Sequence, residues 1–130
     1  MIGCGADIKA NLAKADSFCR RAKSMGADIA LFPEMWSVGM TFFDRLKDGD
    51  RQRWESLAIT QNDSFITHFR ALAKELEMAI AVTYLEKWND GRSAPRNSVS
   101  LIDSTGEIIL TYAKVHTCEF GIESALTPDW

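Results

Sequence analysis

After an amphipathic stretch over Asp63–Glu77, with Phe65, Phe69, Leu72 and Leu76 on one side, the sequence turns at once into Met78-Ala79-Ile80-Ala81-Val82-Thr83-Tyr84-Leu85. The switch from a three-to-four-residue period to a continuous apolar run of strand length predicts a helix feeding directly into a strand. An earlier unit has the same order. Ile8, Leu12, Ala15, Cys19, Ala22 and Met25 form one apolar stripe, which predicts a helix from Ile8 to Met25. Asp7 is placed to be its N-cap and Gly26 its left-handed C-terminal cap. Ala27–Phe32 then reads as a short buried strand closed by Pro33, because proline cannot donate to a ladder.

Asn89 through Pro95 is a loop by composition, and Ser98–Ile102 and Glu107–Val115 follow as paired strands. Asp103-Ser104-Thr105-Gly106 joins them as a turn with its glycine in place. Helix–strand alternation followed by a hairpin predicts α/β layering, with helices packed on a mixed sheet in a single domain over residues 1–130. Both ends read as unfinished: only Met1–Ala6 precede the first helix, and Gly121–Trp130 stop in loop-like sequence.

The totals exclude several classes of function. Apolar residues at 46% and charged residues at 25% fit a soluble globular chain rather than a disordered tail. A formal charge of -3 supplies no basic field for nucleic acid or anionic lipid. No apolar run approaches membrane-spanning length and no signal-peptide pattern opens the chain, so the expected compartment is cytoplasmic. Cys4, Cys19 and Cys118 form no C-x-x-C pair, and His68 and His116 lie far apart, so neither a metal site nor any cofactor is expected.

Two positions invite a chemical reading. Glu34, within Leu31-Phe32-Pro33-Glu34-Met35-Trp36, stands at the carboxyl end of a strand, where ligands of open α/β sheets are met. Flanking by Phe32, Met35 and Trp36 would desolvate its carboxyl and suit it to general-base work. Composition alone favours the plainer alternative, a solvated loop acid. Lys114 ends a strand on which Ile108, Leu110, Tyr112 and Lys114 are expected to share one face. It is either a lysine snorkelling at a sheet edge or a cation held over a reacting centre.

Taken together, these stretches resemble a known family. Ala27–Trp36 followed by Val38-Gly39 is similar to the glutamate block of the nitrilase superfamily of carbon-nitrogen hydrolases. Asn97-Ser98 through Leu101-Ile102-Asp103, then Gly106-Glu107 and Tyr112-Ala113-Lys114-Val115-His116, resemble its lysine block, in the family's order and separation. The resemblance implies a Glu–Lys–Cys triad on an α-β-β-α sandwich that assembles into homo-oligomers, acting on a small amide, nitrile or carbamoyl substrate. It implies that Glu34 is the general base, that Lys114 stabilises the tetrahedral intermediate, and that Glu123 is the second active-site glutamate, a better match than Glu119. Trp36 and His116, with Met40, would lie near the substrate, and core packing explains Trp36 and Met40 about as easily. Trp36 and Gly39 lean toward amidases and carbamoyl-amide hydrolases rather than strict nitrilases.

The resemblance covers the front of the family only, so the expected fold is a partial sandwich truncated before the nucleophile block. Cys118, four residues past Lys114, is expected to be structural rather than the nucleophile, and Cys19 a small core hydrophobe. The chain alone is therefore expected to be inactive. The alternative is a non-catalytic interaction module that associates with full-length subunits through its unfinished sheet.

Overall fold

The computed structural model describes residues 4–41, 43–88, 94–117 and 126. Its elements run α1 (Ile8–Ser24), β1 (Ile29–Leu31), α2 (Asp50–Glu55), α3 (Ser64–Leu76), β2 (Ala79–Glu86), β3 (Arg96–Ile102) and β4 (Ile108–Ala113). The strands form one mixed sheet in the order β1-β2-β3-β4, parallel between β1 and β2 and antiparallel across the other two pairs.

Both long helices start where the sequence says they should. Asp7 accepts from the backbone N–H groups of Lys9 and Ala10, and Asp63 accepts from that of Phe65, filling donors that a helix start leaves open. Gly26 takes a left-handed φ of 85° after α1, as expected of a cap. The α1 stripe buries Ala15 and Cys19 fully, but it ends sooner than the periodicity suggests, because Met25 is 76% exposed. Asn11, which interrupts the apolar pattern, is also buried, and its side-chain amide donates to the carbonyls of Gly5 and Ser37.

The two long helices, α1 and α3, cover one face of the sheet. Ile80, Val82, Tyr84 and Ile102 meet Ala15, Cys19, Phe65, Phe69 and Leu72 there in one apolar cluster. Burying a side chain of this size contributes roughly 1.5–3 kcal/mol, so this layer supplies most of what holds the sheet and helices together. The same face carries a polar chain in which the Tyr84 hydroxyl meets Ser100 Oγ at 2.9 Å and Ser100 meets Thr111 Oγ1 at 2.8 Å. Ser98 donates to Glu86, itself almost fully buried. Burial pushes the Tyr84 phenol up to about 12, so it stays neutral at any ordinary pH.

Two expectations about faces are corrected. β1 is not a buried strand: Ile29 is 54% and Leu31 75% exposed, because among the described residues it pairs only with β2 and no layer covers its outer face. Nor do Ile108, Leu110, Tyr112 and Lys114 share one face. A bulge opposite Leu101 and Ile102 inserts one residue and flips the alternation. Ile108 consequently packs against the core, while Leu110 and Tyr112 lie exposed on the side away from the helices.

Candidate active site

The segment after β1 turns sharply at Met35, whose φ of 58° is unusual for a bulky side chain and marks stored backbone strain. This turn sends neighbouring side chains in opposite directions. Phe32, Met35 and Trp36 enter the core, whereas Glu34 stays on the outside with 45% of its side chain exposed. The apolar flank that the sequence suggested would enclose the carboxylate therefore does not do so. The turn is fastened to β2 by polar contacts. Thr83 donates to the Pro33 carbonyl and accepts the Trp36 N–H, the Ser37 N–H reaches the Thr83 carbonyl, and Ser37 Oγ accepts the Leu85 N–H.

Lys114 follows the last residue of β4, and its ammonium lies 3.0 Å from Glu34 Oε1. Asn97, at the start of β3, donates from its side-chain amide to the same oxygen. Its backbone carbonyl accepts the Lys114 N–H at 2.8 Å. Glu34, Thr83, Asn97, Val99, Tyr112 and Lys114 line a shallow hollow of about 220 Å³ on the sheet face opposite the helices. The arrangement places a carboxylate beside an ammonium at the carboxyl ends of β1 and β4, where ligands of open α/β sheets are met.

The remaining expected site residues distribute differently. Trp36 is fully buried, stacks 5.0 Å from Phe32 and donates its indole N–H to the Asn11 carbonyl, so the structure does not bring its side chain to the hollow. His116 is exposed two residues beyond Lys114 and does not line the hollow. Met40 is 48% exposed. Glu123, Glu119 and Cys118 lie outside the described residues. Thr83 and Asn97 went unassigned in the sequence; Asn97 stands inside the lysine block, but only the β3–β4 pairing shows that it faces Glu34.

Neither described cysteine is poised for nucleophilic attack. Burial raises the Cys4 thiol, and burial pushes that of Cys19 up to about 12, so both are held as thiols at neutral pH rather than as the reactive thiolate. Among the described residues, no three His, Cys, Asp or Glu side chains cluster as metal ligands would, and no helix is long and apolar enough to cross a membrane.

Comparison with known proteins places the chain in a family and a fold. The sequence profile described as carbon-nitrogen hydrolase matches residues 4–127. The N-carbamoylputrescine amidase of Arabidopsis thaliana is 32% identical over 113 residues, covering 87% of this chain and 36% of that enzyme. Its Oryza sativa subsp. japonica counterpart is 33% identical, covering 82% of this chain and 33% of its own length. The chain thus spans about a third of the curated relatives it matches. Among solved structures, an amidase from Nesterenkonia sp. superposes with a TM-score of 0.74 at 22% identity, over 98% of this chain and 45% of that one. The C. elegans NitFhit protein superposes with a TM-score of 0.71 at 20% identity, over 92% and 28%. These two share the fold.

Proposed function

The chain belongs to the carbon-nitrogen hydrolase family, within the nitrilase superfamily, and from that footing we propose that it carries the base and the cation of an amide-directed hydrolase. The observation that supports this most directly is the 3.0 Å contact between Lys114 Nζ and Glu34 Oε1. In this reading Glu34 takes the proton of a cysteine thiol as its sulfur bonds to the carbonyl carbon of a small amide or carbamoyl substrate. Lys114 stabilises the negative oxygen of the resulting tetrahedral intermediate. Collapse breaks the C–N bond, and the proton held on Glu34 passes to the leaving nitrogen. Water, deprotonated in turn by Glu34, then hydrolyses the thioester and restores the thiol. Glu123 is the proposed second carboxylate, and His116 a proposed neighbour of the substrate.

The thiol in this scheme comes from outside the described residues, in a later block of the complete enzyme, and the chain by itself is proposed to be inactive. Removing a positioned base lowers turnover by about 10²–10⁴-fold. The test is ammonia release from N-carbamoylputrescine and simple primary amides, by the isolated chain and by the protein encoded when the reading frame is followed past codon 130. Activity in the longer protein that is lost in Glu34→Gln and in Lys114→Met supports the assignment. Turnover by the isolated chain that Cys118→Ala abolishes would show that the nucleophile had been placed in the wrong segment.

A second reading has its own observation. Ile29, Leu31, Leu110 and Tyr112 are each more than half exposed on the face opposite the helices. An apolar face of this kind suits a non-catalytic module that docks on full-length subunits. Sedimentation velocity decides this point: a monodisperse monomer that ignores added full-length subunits rules the reading out.

A further inference from the structure

Asn97 contacts both halves of the Glu34–Lys114 pair. Its side-chain amide donates to Glu34 Oε1, and its backbone carbonyl accepts the Lys114 N–H at 2.8 Å. Asn97 is only 7% exposed and is the second residue of a strand that is paired on both sides, so its side chain has little freedom to move. Lys114 differs. Its ammonium is a compact charge on a flexible stem, its side chain is 31% exposed, and a point charge attracts either carboxylate oxygen almost equally. The lysine alone therefore cannot decide which oxygen of Glu34 is held and which is offered. Both donors fall on Oε1, and among the described residues none reaches Oε2.

We infer that Asn97 is a positioning residue: it anchors Glu34 through Oε1, so that Oε2 is the oxygen presented to the proton being transferred. This rests on the reading of Glu34 as the base. It also accounts for a buried side-chain amide beside a hollow whose lining includes Val99 and Tyr112, since an amide left unpaired there would be costly.

The test is side-chain NMR on the isotopically labelled chain, following the Asn97 Nδ2 protons, the Lys114 side chain and the Glu34 carboxyl carbon as acid is added. The expected result is that the Asn97 amide signals shift in step with protonation of Glu34, and that this shift is lost in the isosteric Glu34→Gln variant. A flat Asn97 response, with Lys114 still following Glu34, overturns the positioning role and leaves the base–cation pair standing. If neither Asn97 nor Lys114 follows Glu34, the pair itself fails, and the proposed function fails with it.

Discussion

Lys114 and Glu34 stand eighty residues apart in sequence, yet their side chains meet at 3.0 Å on the uncovered face of the sheet. The contact depends on two strand ends coming level: β1 delivers Glu34 by way of the Met35 turn, and β4 delivers Lys114 through its pairing with β3. The ion pair is not what holds those ends together. Its side chains are 31% and 45% exposed, and pairs in such surroundings contribute about 0–1 kcal/mol.

Glu34→Gln is therefore expected to change unfolding free energy by no more than about 1 kcal/mol, measured by urea denaturation at neutral pH. A much larger loss would mean that the pair is structural, and would weaken the case for reserving it for chemistry.

The periodic parts of the fold were legible in the sequence. Asp7, the Ala15–Cys19 stripe, the helix before Met78 and the strand after it all follow from spacing and capping, which are local. What was not legible depended on neighbours distant in sequence. Ala27–Phe32 has the composition of a buried strand, but only the sheet order shows that Ile29 and Leu31 lie on an uncovered edge. The short helix Asp50–Glu55 has no apolar stripe to announce it and is fixed instead by Trp54 packing on Phe43. For Trp36 the resemblance suggested a place near the substrate and core packing was the equal alternative; a left-handed residue between it and Glu34 sends it into the core. The Glu34–Lys114 pairing could be anticipated only from the family resemblance, since no local rule joins residues so far apart.

Thr83 fastens the segment that bears Glu34. Its hydroxyl donates to the Pro33 carbonyl and accepts the Trp36 N–H, and the residue is 8% exposed. Thr83→Val keeps the volume but leaves both backbone groups without that partner, at an expected cost of about 1–3 kcal/mol. Amide hydrogen exchange at Trp36 should accelerate more than exchange on α1, which Thr83 does not touch. Uniform acceleration in both places would show that the hydroxyl supports the whole fold rather than this turn.

Arg20 links the two long helices. Its guanidinium bonds Asp16 at 2.6 Å and Glu75 at 2.5 Å, and these bonds are the largest cause holding both carboxyls below their usual range. A depressed folded-state value gives stability that is present above the unfolded value, about pH 4, and lost as pH falls through the folded value. Stability should therefore decline on acidification, and Arg20→Ala should lower the urea midpoint at pH 7 while flattening its fall below about pH 4. High salt should shrink the difference, because these groups face water. An unchanged acid limb in the variant would assign that fall to other carboxylates.

Gly39 and Gly26 separate two kinds of cost at a left-handed position. Their φ values are 68° and 85°, so any Cβ there carries backbone strain of about 1–2 kcal/mol. At Gly26 nothing lies within 4 Å of where that Cβ would stand. At Gly39 it would come within 2.9 Å of the Cys4 and Gly5 carbonyl oxygens, which are backbone atoms and cannot swing aside. Gly5 is also tied to Asn11, whose carbonyl holds the Trp36 indole, so a shift there propagates into the core behind Glu34. Gly39→Ala should consequently destabilise clearly more than Gly26→Ala under thermal or urea unfolding. Equal losses would mean that the segment at Cys4 and Gly5 yields freely, and that its packing against Gly39 does not help to set the turn that presents Glu34.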